Sequence, residues 1–98
     1  TGRIDRSVPS SGRTMNATER AKVMRRHGAN LATWLDGRGL TLIAAARMMD
    51  VSRSTLGRMV KGSSPIYMSD LGRLSEAAGV DFYDLGMAVT ARAAGASQ

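Results

Sequence analysis

Cysteine is absent from the 98 residues, which removes disulfide staples and thiolate metal sites. The single histidine, His27, cannot hold a metal ion alone. Aromatic residues make up only 4% of the chain, too few for a sandwich or barrel of many strands. Apolar runs are short as well. The longest nearly apolar stretch is Leu40–Ala46, against about 20 residues for a membrane-crossing helix. Thr1–Asn16 has no hydrophobic centre and does not read as a signal peptide. No nucleophile–base pair, metal cluster or phosphate-cradling loop is present, so neither enzyme activity, cofactor, metal nor small-molecule ligand is expected.

The chain does contain Leu, Val, Ile, Met and Ala in the proportion that packed helices need, with 43% apolar residues overall. One domain with one modest core is the expectation at this length. The formal charge is +6 and unevenly spread: +5 on residues 1–26, +3 on residues 27–62 and −2 on residues 63–98. A basic face opposite a mildly acidic one is the footprint of a nucleic-acid binder.

Residues 1–15 are polar, basic and without periodicity, and read as a flexible arm. Asn16-Ala17-Thr18-Glu19 has the form of a capping box. The helix it opens runs to about Asp36, with Val23, His27, Leu31, Trp34 and Leu35 on one stripe. Gly28 weakens or kinks it at a cost of about 1 kcal/mol. Trp34 reads as a core anchor and His27 as an ordinary helix-face residue. A second helix spans Leu42–Met49, capped by Thr41, with Ile43, Ala46 and Met49, or Ala45 and Met49, inward. Asp50 occupies a tight turn and is expected at positive φ, which Asp tolerates better than most side chains.

Ser52 caps a third helix, Arg53–Lys61, with Leu56, Met59 and Val60 on its apolar side. Arg53, Ser54, Thr55, Gly57, Arg58 and Lys61 face outward, with no acid among them. Two short helices joined by a tight turn, the second cationic and rich in hydroxyls, suit the major groove of DNA. Gly57 removes a side chain from the exposed face, which permits close approach of another backbone. Arg53 and Arg58 can each fork onto guanine, Ser54 and Thr55 can bond base edges, and the Thr55 methyl can touch a thymine methyl. Ser52, Ser54 and Lys61 rank next, Lys61 toward phosphate; Thr41, Arg47 and Arg38 are peripheral candidates. Farther on, Ser69 is expected to cap a fourth helix with Leu71, Leu74, Ala77 and Ala78 inward, stopped by Gly79. A fifth, Phe82–Ala94, carries the stripe Phe82, Leu85 and Val89, and residues 95–98 are expected to fray.

The stretch Leu31–Leu85 resembles the lambda repressor-like (Cro/cI, or XRE) helix-turn-helix domain. The matching pieces are Gly39-Leu40-Thr41 before the second helix, residues 50–62 (DVSRSTLGRMVKG) for the turn and recognition helix, and residues 71–85 (LGRLSEAAGVDFYDL) for the closing helices. Three positions depart from the family's habit. Leu42 stands where Gln often braces the recognition helix, Asp50 where the turn usually has Gly, and Val60 where Glu is common. These departures imply a shifted contact set rather than a different fold.

The resemblance implies an all-α, compact five-helix DNA-binding domain over residues 16–94, preceded by the basic arm. It implies a sequence-specific regulator of transcription that binds double-stranded DNA, most simply a small phage-type repressor or Cro-like protein. Such a protein is expected in the cytoplasm, on the nucleoid. Relatives often bind as two-fold dimers, and the helix 82–94 is the expected dimer surface. The competing expectation is an antitoxin or other protein-interaction module of the same fold, with autoregulatory DNA binding.

Overall fold

The structure, a computed structural model, describes residues 15–92. Almost all of the arm expected over residues 1–15, the tail 95–98 and the last two residues of the expected fifth helix lie outside the described residues. Five helices follow in order: α1 (Ala17–Gly37), α2 (Leu42–Met49), α3 (Arg53–Lys61), α4 (Met68–Ala78) and α5 (Phe82–Thr90). The fold is all-α, with no strand among the described residues. Helix α1 packs on α3 and α5, α2 on α3 and α4, and α4 on α5.

Local chemistry sets most of the boundaries. The Asn16 side chain accepts the Glu19 N–H at 2.8 Å, and the Glu19 carboxylate accepts the Asn16 N–H at 3.1 Å. Thr41, Ser52 and Asp81 cap α2, α3 and α5 by accepting the N–H three residues on. Helices α1 to α4 all end near a left-handed residue: Gly39, Asp50, Gly62 and Gly79 at φ 70°, 58°, 84° and 71°. Asp50 is the one non-glycine in that region among the described residues, as expected from its place in the turn. After α2, the Asp50 and Val51 amides close back onto the Arg47 and Ala46 carbonyls, and Val51 then folds against the core.

The core joins Leu31 and Leu35 of α1, Ala45, Ala46 and Met49 of α2, Leu56 and Met59 of α3, Leu71 and Leu74 of α4, and Leu85 and Val89 of α5. Trp34 packs at its edge. Four details differ from the sequence reading. Ile43 is 53% exposed, because it sits two residues, or about 200°, around the helix from buried Ala45. Helix α4 starts two residues earlier than a Ser69 cap allows: Tyr67 is its N-cap, and the Asp70 carboxylate accepts the Tyr67 N–H at 3.4 Å, whereas Ser69 has glycine three residues on. The inward face of α4 is turned toward Asp70 and Ser75, which leaves Ala77 exposed and Ala78 half-buried. Helix α5 ends at Thr90, and Ala91 is already extended. The cause lies far off in sequence: the Asn30 amide donates to the Val89 and Ala91 carbonyls at 2.8 and 2.7 Å.

Two glycines let α1 and α3 meet backbone to backbone. A methyl group on Gly28 would collide with the Met59 carbonyl oxygen and stand 2.7 Å from the Val60 carbonyl oxygen. One on Gly62, the αL cap of α3, would stand 2.6 Å from Arg25 Cα. The missing side chain of Gly28 is therefore a packing requirement, not only a helix weakness. Gly28→Ala is expected to lower stability by about 1–3 kcal/mol despite alanine's better helix propensity, measured by urea unfolding. A neutral or stabilising result would show that α3 is not seated on α1 as described.

Candidate nucleic-acid interface

Helix α3 is anchored on one side and open on the other. Leu56 and Met59 are 0% and 3% exposed, and they place Arg53, Ser54, Arg58 and Lys61 on the exposed side. Thr55 and Gly57 are half-buried at the margin. No acid occurs in the helix. Its amino end carries the Ser52 cap and the first-turn N–H groups, the positive pole of the helix. A methyl group added at Gly57 would meet nothing within 4 Å among the described residues, so none of them demands glycine there.

Three of the expected site residues are tied together. Ser52 Oγ accepts the Thr55 N–H at 3.0 Å and donates to Thr55 Oγ1 at 2.9 Å. Arg58 donates a guanidinium N–H to the same Thr55 oxygen at 3.3 Å. Ser52, Thr55 and Arg58 thus form a chain at three-residue spacing along one edge of α3. The Thr55 oxygen is occupied, and its hydroxyl proton is the part free to engage a partner. Arg53, Ser54 and Lys61 make no side-chain hydrogen bond to other described residues.

The remaining candidates sit apart. Thr41 accepts the Ala44 N–H at 3.1 Å as the cap of α2. Arg47 is exposed in the last turn of α2. Arg38, after the end of α1, is exposed, and its guanidinium lies over the Trp34 ring at 4.9 Å from the centroid, a cation–π contact that engages the charge itself. Leu42 is half-buried against the core and adds nothing polar at the start of α2.

Sequence reasoning missed the brace behind the turn. Arg73 of α4 donates its Nε–H to the Met49 carbonyl at 2.6 Å and pairs with Asp70 at 2.5 Å. Met49 directly precedes Asp50, so this pair clamps the backbone just where it enters the left-handed turn into α3. Asp70 is 4% exposed, and its charge is compensated by Arg73 and by the Tyr67 N–H. An Asp followed three residues later by Arg was the available signal; its target on α2 was not legible.

His27 is not part of this surface. It borders an apolar groove with Ile66, Phe82 and Met87. Burial first, and the Arg26 charge second, hold its imidazole below the ordinary value and favour the neutral form. Among the described residues no group of three or more His, Asp or Glu side chains could hold a metal ion, and no helix is long and apolar enough to cross a membrane.

Because Arg73 is 42% exposed, removing its partner leaves a cation that can reach water. Asp70→Ala is therefore expected to cost about 1–2 kcal/mol rather than the 3–5 of a fully buried pair. A double-mutant cycle with Arg73→Ala, read by thermal unfolding, should show non-additivity. Additive losses would mean that the two side chains act independently.

The profile of the helix-turn-helix family matches residues 31–85, from the middle of α1 into α5. No curated protein matches the chain.

Proposed function

The chain belongs to the helix-turn-helix family of DNA-binding transcriptional regulators, and from that premise we propose that it is a sequence-specific repressor, of phage-repressor or Cro-like type, that reads double-stranded DNA with α3 in the major groove. The observation that carries this reading is the exposed, acid-free face of α3, on which one guanidinium is already held by a capping network. Repression by occupancy needs nothing more than a domain that covers a promoter.

Arg53 and Arg58 are assigned to base edges, where a bidentate guanine contact is worth about 1–3 kcal/mol of discrimination. Thr55 aims Arg58 and can donate its own proton to a base. Ser52 and the first-turn amides of α3 suit a phosphate, as do Ser54 and Lys61. Thr41, Arg47 and Arg38 are placed at the periphery of the contact. Gly57 keeps the face low, so that the helix can lie close to the groove floor. Residues 1–62, with a net charge of +8, supply the long-range attraction, while residues 63–98 carry −2.

In vitro selection from a random duplex pool, followed by titrations on the selected site and its single-base variants, tests this reading. Arg53→Ala should relax preference at one base position, whereas Lys61→Ala should weaken all sites alike. Equal losses on every sequence for Arg53→Ala would remove its base-reading role. Failure of the pool to yield any preferred site would remove the sequence-specific reading.

A two-fold dimer is the assembly this reading favours, with half-sites about one helical turn, 34–36 Å, apart. The stripe Phe82, Leu85 and Val89 is directed into the core and is not available for it. The outer face of α5 presents Tyr83 and Met87 instead, at 76% and 69% exposure, beside Met68 at 71%. Sedimentation at micromolar concentration should show a dimer for the wild type and a monomer for Met87→Glu. A wild-type monomer that still occupies a symmetric site one protein at a time would exclude dimerisation through α5.

A further inference from the structure

The family match begins at residue 31, yet α1 begins at Ala17. The fourteen residues between, about 21 Å of helix at 1.5 Å per residue, lie outside the segment the family accounts for. They are not loosely attached. Gly28 seats this part of α1 against the Met59 and Val60 carbonyls, and Arg25 Cα and Cγ lie against Gly62. The half-helix is thus docked on the carboxyl end of α3.

This docking lines up cations. Arg58 and Lys61 are three residues apart on α3, and Gly62 directly follows Lys61. Across the contact stands Arg25, and one turn earlier, on the same side of α1, stands Lys22. Arg58, Lys61, Arg25 and Lys22 are all exposed, and none has an ion-pair partner among the described residues. The one acid between Ala17 and Asn30 is Glu19, which is engaged with the Asn16 backbone. Behind the row, Arg26 has a buried Nε with no hydrogen-bond partner among the described residues, in a cleft it shares with Lys22, Arg92 and the Glu19 already engaged at the cap. Like charges at this spacing repel one another mildly in the isolated protein. A polyanion laid along the row removes that repulsion and releases its own counterions.

We propose that the amino-terminal half of α1 is an accessory DNA-binding surface, in which Lys22 and Arg25 take backbone phosphates flanking the site read by α3. The proposal rests on the groove reading above, because the row is a continuation of the exposed edge of α3. An acidic protein or peptide has no reason to begin on that helix. The contact is electrostatic and carries no base information.

The test uses the full chain and a duplex of about 30 base pairs that carries the selected site at its centre, so that flanking phosphates are present on both sides. Affinity is measured between about 50 and 200 mM salt for the wild type, Lys22→Gln, Lys22→Gln/Arg25→Gln and Arg25→Lys. The log–log salt slope should fall by about 0.9 for Lys22→Gln and about 1.8 for the double variant, with the order of preference among single-base variants unchanged. Arg25→Lys should keep the wild-type slope. Thermal unfolding identifies any loss caused by disturbed packing at Gly62; if the double variant is unfolded, Lys22→Gln alone decides. An unchanged slope in folded Lys22→Gln and double variants, alongside altered preference in Arg53→Ala, would overturn the accessory surface and leave the groove reading standing. A wild type that binds no duplex would overturn both.

Discussion

The meeting of α1 and α3 without side chains between them is the constraint on which the domain depends. Gly28 and Gly62 allow two backbones to come closer than any other residue would permit. Once they are in contact, the azimuth of α3 is set: Leu56 and Met59 must enter the core, and Arg53, Ser54, Arg58 and Lys61 must leave it. A wider spacing would let α3 roll. The exposed face is therefore less a property of α3 alone than of its seat on α1.

A second restraint acts at the other end of α3. The turn before it contains a non-glycine in the left-handed region, a conformation that local preferences do not favour. The Arg73–Asp70 pair grips the carbonyl just upstream and joins that turn to α4. Helix α3 is thus held at its entrance by an ion pair and at its exit by a glycine contact. Both holds involve residues on other helices, the tertiary support that a nine-residue helix of modest intrinsic propensity, with Gly57 inside it, requires.

Much of this was legible in the sequence because it is written in local chemistry. The Asn16 box, the Thr41 and Ser52 caps, the bounds of α2 and α3 and the positive φ of Asp50 all follow from residues within four positions of one another. What was not legible is either a matter of helix phase or a matter of distance. Ile43 and Ala77 are small errors of azimuth in short helices, where a few apolar residues fit more than one face. Ser69 was chosen as a cap by residue type, while Tyr67 holds the position through the acid three residues later. The early end of α5 depends on Asn30, and the reason for Gly28 depends on α3; both partners are remote in the chain. For the proposed contact surface, composition and period placed Arg53, Arg58 and Lys61 on the open side of α3, but gave no hint that Thr55 links Ser52 to Arg58.

That link bears on the thermodynamics of any complex the domain forms. Arginine is among the costliest side chains to immobilise, at about 0.5–1.5 kcal/mol on association. A guanidinium already tethered through a threonine hydroxyl has surrendered part of its rotational freedom during folding. Its capture by a partner then carries a smaller entropic penalty than that of an untethered arginine such as Arg53, and the two should differ in the enthalpy–entropy balance of their contributions even where their free energies are alike.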